Sequence, residues 1–182
     1  MIFDLSMSVN TFISLASAYD MTEFIEECKK VDLPEKINGK DIPASLNHIT
    51  FGQRIDLTEI STENFLFMPI QALLGLPLKK ILRSKICDII RFSFFVAEEL
   101  RRLNERDEKY LKYEPEPEEV KAGLKKMDNG LFGTIDLVAR RMGITHDAVL
   151  ELSQQKVFMM LKIDLDNNAY EKRLRKIYAE KQ

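Results

Sequence analysis

Residues 78–112 run for 35 positions without a glycine or a proline, and this run constrains the fold more than any other feature. Apolar residues at 78, 81, 82, 86, 89, 90, 94, 96, 97, 100 and 103, among others, follow the three- and four-residue spacing of a helix. The stretch is therefore one long helix or a broken pair. Unbroken, it is about 50 Å long, more than a single compact core covers. Its second half, with Glu98, Glu99, Arg101, Arg102, Glu105, Arg106, Asp107, Glu108 and Lys109, mixes charge signs at helical spacing and reads as a solvated face.

The rest of the chain follows the same period. Thr22 caps a short helix ending near Val31, where Pro34 stops it, and residues 33–47, with Pro34, Gly39 and Pro43, read as a loop that sets off an amino-terminal arm. Thr50 caps a helix through Ile60 whose apolar side holds Phe51, Ile55, Leu57 and Ile60, and Thr62 offers a second cap before the apolar run at 65–74. Gly75 and Pro77 end that run. The sharpest break is Glu114-Pro115-Glu116-Pro117, because the residue before each proline is pushed out of the helical region. Beyond it, helices are predicted at 118–127, 134–142, 145–165 behind the cap Thr145, and 168–181. No segment alternates as a strand. The expected fold is all-α, with a long central helix and a carboxy-terminal helical subdomain. Its expected divisions are an arm and linker at 1–47, a central helical region at 48–113 and a helical domain at 114–182.

Composition narrows the function classes. Apolar residues make up 45% and charged residues 31%, and Lys+Arg 27 against Asp+Glu 29 leaves a net charge of -2, which supplies no general excess of cations for nucleic-acid phosphates. The two cysteines, Cys28 and Cys87, define no disulfide framework, so reduced thiols in a cytosolic compartment are expected. Residues 9–18 are apolar, but Asp4 and Asn10 stand where a secretory leader needs basic residues. The most apolar internal stretch, 86–97, carries Asp88 and Arg91 and is short of the roughly 20 residues of a membrane span.

Catalytic chemistry has little to work with. His48 and His146 have no carboxylate or cysteine at ligand spacing. Asp164, Asp166, Asn167 and Asn168 hint at a calcium loop, yet the glycine and bidentate glutamate that such a loop needs are missing. No catalytic, cofactor or metal residue is assigned. Ala139, Gly143 and Val149, packed by Val138, Ile144 and Leu152, fit a helix-turn-helix corner, whose second helix would read DNA. That helix carries Asp147 and Glu151, which repel phosphate. The aromatic run Phe92, Phe94, Phe95 cannot all face one side of a helix, and Phe158, Met159 and Met160 form an adaptable patch. Phe92, Phe95, Phe158 and Met159 are taken as candidate partner-binding residues.

Two stretches carry a family resemblance. Ile49-Thr50-Phe51-Gly52-Gln53-Arg54-Ile55-Asp56-Leu57 is one. The other runs from Lys121-Ala122-Gly123 through Leu131-Phe132-Gly133-Thr134-Ile135-Asp136, Val149-Leu150-Glu151-Leu152-Ser153 and Val157-Phe158 to Tyr170-Glu171-Lys172. Together they resemble tail-assembly-chaperone-like proteins of tailed bacteriophages that infect Bacteroidetes-type hosts. The arm before Thr50 and the long helix lie outside the resemblance. It implies a non-enzymatic helical morphogenesis protein that works through protein-protein contacts in the host cytoplasm. Its partners would be tape-measure, tail or connector proteins and further copies of itself, with no cofactor. The alternatives are a virion structural component, such as a connector or ring protein near the portal, and a helix-turn-helix DNA-binding regulator.

Overall fold

In the computed structural model, which describes residues 4–113, 115–123 and 130–180, the described chain is all-α apart from one small hairpin. It divides into two compact units, Met1–Leu46 with Gln53–Arg102, and Asn47–Gly52 with Leu103–Gln182. The division falls inside the long helix, and Pro115 and Pro117 lie within the second unit.

In the first unit, α1 (Val9–Ala16) starts at Ser8, whose Oγ accepts from the Thr11 N–H at 3.2 Å, satisfying one of the donors that a helix start leaves open. α2 (Thr22–Lys30) begins at Thr22 instead of being capped by it. The Asp20 carboxylate takes both the backbone N–H (2.9 Å) and the hydroxyl (2.6 Å) of Thr22. Phe12 and Phe24 stack with centroids 5.6 Å apart and bury the inner faces of the two helices. The stretch read as loop contains a strand pair, β1 (Lys36–Ile37) and β2 (Lys40–Asp41), turned by Asn38 and Gly39 at φ 48° and 76°. Both turn residues are left-handed, as a tight hairpin turn requires. Two-residue strands leave no alternation to read.

α3 (Phe51–Asp56) and a 3-10 turn (Leu57–Glu59) replace the single helix expected from Thr50 to Ile60, and α4 (Met68–Leu74) starts later than the Thr62 cap. The long run is a broken pair, α5 (Leu78–Ile81) and α6 (Ile86–Leu111). Partners from elsewhere hold the break open. Val9 N–H donates to Ser84 O and Asn10 N–H to Leu82 O (both 3.0 Å), and Ile86 N–H donates to Met7 O (2.9 Å). The Asn38 side-chain amide donates to Ser84 Oγ at 2.6 Å and to Lys80 O at 3.2 Å. These bonds replace the intrahelical ones, so the turn leaves few backbone groups unmet.

One expectation is corrected here. Cys28 of α2 and Cys87 of α6 are not reduced thiols: they form a disulfide across 59 residues, and both are fully buried. Sequence spacing could not pair them, because the packing of α2 on the start of α6 brings them together. Among the described residues, no helix is long and apolar enough to cross a membrane.

The second unit holds the end of α6, α7 (Pro117–Lys121), α8 (Gly130–Met142), α9 (His146–Leu150) and α10 (Gln154–Ala179). Thr145 caps α9, but Ser153 then caps a new helix, so the single helix expected over 145–165 is two. The closing helix expected at 168–181 is the continuation of α10. The expected end of the 118–127 helix lies outside the described residues. Val138, Ala139, Val149 and Val157 form the core, with Phe51, Ile135, Met142, Ile144, Leu152, Met160 and Leu161 packed against it. Residues 47–52 are built into this unit. Phe51 N–H donates to Leu152 O (2.7 Å), Gln154 N–H donates to Ile49 O (2.9 Å), and Thr50 bridges Ser153. Gly52 permits that approach, since a Cβ there would lie 3.3 Å from Leu150 O.

Candidate partner-binding surface

One side of α10 is committed to its own unit. Val157 is in the core, and Phe158 is buried under the Arg106 guanidinium, 3.7 Å from its ring centroid, with the Tyr110 ring edge-on. Arg106 also donates to Gln154 (3.0 Å) and Gln155 (2.7 Å) at the start of the helix. Farther along, Lys172 donates to Glu119 (2.8 Å) and to the Tyr113 hydroxyl oxygen (2.6 Å), while Lys176 pairs with Glu116 at 3.1 Å. The Lys172 ammonium, the Tyr113 hydroxyl and the Glu116 N–H together hold the Glu119 carboxyl down to about 2, because each donates to its charged form. The same contacts raise the Lys172 ammonium above its ordinary range.

The opposite side of α10 carries apolar residues that stay about half exposed among the described residues. Met159, Ile163, Tyr170 and Ile177 are 43%, 43%, 58% and 49% exposed. At 3.6 residues per turn these four fall within an arc of about 40°, on a line about 27 Å long. Asp166 and Arg173 lie between them on the same side. Of the predicted contact residues, Met159 belongs to this stripe. Phe92 is fully buried in α6, Phe95 is half-buried against it with centroids 6.2 Å apart, and Phe158 is core. The sequence did carry a signal for the rest: Ile163, Tyr170 and Ile177 are spaced by seven, one heptad each.

α8 adds a second exposed group. Phe132 is 61% exposed, beside the exposed Leu131 and Leu137. Its ring meets the His146 ring edge-on at 5.1 Å, and His146 Nε2 lies 3.3 Å from Asp136 Oδ1, with Arg140 on the other carboxylate oxygen. His146 thus has a carboxylate companion that the spacing did not predict, supplied across the Gly143 corner. His48 is exposed in a 3-10 turn (Leu46–His48). The corner itself packs as anticipated, with Gly143 at φ 65°, but α9 is five residues long and presents an exposed Asp147. Asp164 accepts from Arg141 and Asp166 from Lys162, each at 2.6 Å. Among the described residues no cluster of three His, Cys, Asp or Glu side chains is arranged to hold a metal.

No family model, curated protein or solved structure matches this chain. The surface is read from its own chemistry. An apolar stripe at heptad spacing, flanked by charge, has the form of one half of a helix-helix seam, in which a partner helix supplies the missing knobs. Tyr170 within it is of the kind of side chain that contributes most when a partner covers it.

Proposed function

We propose that this is a non-enzymatic bacteriophage morphogenesis protein that acts through protein-protein contacts, most like a tail assembly chaperone. The observation that carries the reading is the exposed apolar side chains left on two helices of one unit, Phe132 on α8 and the Met159, Ile163, Tyr170 and Ile177 stripe on α10. Such surfaces fit helical polypeptides, a further copy of this chain on one and a client on the other. The phage assignment draws on the resemblance alone. The two stretches that carry it, roughly a hundred residues apart, are the ones paired through Phe51 with Leu152 and Ile49 with Gln154. The expected partners are tape-measure, tail or connector proteins in the host cytoplasm.

One observation favours the neighbouring reading, a structural component retained in the virion. The Cys28–Cys87 disulfide is the kind of bond that persists on particle surfaces and outside cells, and is rare in reducing cytosol. A mass-spectrometric inventory of purified particles and infected-cell lysate tests both. Recovery in lysate only, with a long helical client, is the chaperone result. Fixed copy number in the particle identifies a component instead. Salt-sensitive binding to duplex DNA, with no protein client, would reject both in favour of the DNA-binding reading.

A further inference from the structure

From Ile163 to Ile177 the α10 stripe is self-complementary. Ile163 stands seven residues before Tyr170 and Ile177 seven after it, while Asp166 stands four before and Arg173 three after. All lie on the side of the helix opposite its packed face. Lay a second α10 against the first, antiparallel, with a two-fold axis through Tyr170. Each Ile163 then meets Ile177 of the second copy, the two Tyr170 rings meet at the axis, and each Asp166 lies beside Arg173 of the second copy. A two-fold interface must match a patch to itself in this way. The parallel alternative keeps the apolar pairs but sets Asp166 against Asp166 and Arg173 against Arg173, and like charges in a seam are destabilising.

We propose that α10 is the homodimer interface of this protein and that its occupant is a second copy in antiparallel register centred on Tyr170. The charges on the page suit that occupant. Arg173 is exposed and makes no ion pair among the described residues, and Asp166 is 65% exposed, holding only Lys162 of its own helix at 2.6 Å. Both are available to a partner without breaking the fold. Charged residues at such seam positions weaken the contact while fixing its direction. The inference does not depend on the phage reading, since it concerns copies of this chain alone. It leaves Phe132 on α8 as the surface for a different partner.

Sedimentation equilibrium of the full-length chain, with loading from about 1 to about 200 μM to span weak association, tests it. A reversible monomer-dimer equilibrium is expected. Tyr170→Glu, which places two carboxylates at the axis, should weaken it at least tenfold, with an unchanged circular-dichroism spectrum because Tyr170 is exposed in the monomer. Asp166→Arg and Arg173→Asp should each weaken it severalfold, and the double variant Asp166→Arg/Arg173→Asp should restore it, as the opposite charges meet again. A chain monomeric throughout, a dimer indifferent to Tyr170→Glu, or a double variant no better than its singles would each overturn the proposal. Binding of a tail polypeptide is measured separately, so its failure would leave this result standing.

Discussion

Breaking the Cys28–Cys87 bond should cost the protein about 4 kcal/mol. The bond closes a loop across 59 residues, and the chain-entropy relation, 2.1 plus 1.5R ln n, gives about 14 cal/mol/K for that length, hence about 4 kcal/mol at 25 °C. A domain of this kind is stable by roughly 5–15 kcal/mol, so the loss takes a large part of the total. Reduction is the cleanest perturbation, because it keeps every heavy atom in the core and leaves two small buried thiols where the sulfurs were. Equilibrium urea unfolding of the oxidised chain should be compared with that of the same chain reduced in denaturant and refolded under reductant. The prediction is a lower midpoint at nearly the same slope, with the change confined to probes in the first unit, which holds both cysteines. Intact mass under native purification gives the prior check. Two alkylatable thiols in the native protein, or a difference below about 1 kcal/mol, would refute the reasoning.

Three further outcomes follow from the second unit. Glu119, held at about 2 against an ordinary 4.5, favours the folded state fully above about pH 4.5 and loses that contribution as pH falls towards 2. Urea midpoints of wild type and Glu119→Gln should therefore converge across that window, and a constant gap from pH 6 to 3 would sink the assignment. Arg106→Ala removes two hydrogen bonds to α10 and the cation over Phe158, at a cost of about 2–3 kcal/mol. Arg106→Lys should recover little of this in the same unfolding assay, since an ammonium lacks the planar fork. Gly143→Ala has open space around its new methyl, so thermal unfolding should report backbone strain alone, about 1–2 kcal/mol, and Gly143→Asn should cost less.

What was legible in the sequence was periodic and local. Thr145 is read correctly as a cap because a threonine before an amphipathic run satisfies the open donors of the next turn. Of the second unit's core, Val138, Ala139 and Val149 are residues that the Gly143 corner predicted, with Ile144 and Leu152 packed against them, whereas Val157 is not among them. Failures came where tertiary partners overrode local preference. The 78–112 run left a long helix and a broken pair both open, since nothing in Leu82-Arg83-Ser84-Lys85 forbids a helix, and it breaks because backbone donors at Val9 and Asn10 claim its carbonyls. The cysteines were misread because their pairing is a property of packed helices. Phe158 looked like a contact residue because hydrophobicity alone does not say which side of a helix is covered, and Arg106, drawn from a run read as solvated, covers it. The stripe lacks an aromatic cluster such as Phe92 to Phe95, and its signal in the sequence is the spacing by seven of Ile163, Tyr170 and Ile177.

The insertion of residues 47–52 into the second unit has a consequence for synthesis. A ribosome releases Ile49 and Phe51 roughly a hundred residues before Leu152 and Gln154, the groups they bond to, and at about 5–20 residues per second that is a delay of about 5–20 s. During that interval the nascent chain carries two large apolar side chains with no native site to occupy. Nor can any single cut separate the units, because the chain passes from the first to the second, returns, and leaves again. A fragment starting at Leu103 would lack the strand-like edge that receives Ser153, so recovery of the second unit in isolation requires residues 47–52 to be supplied, either by fusion or as a separate peptide.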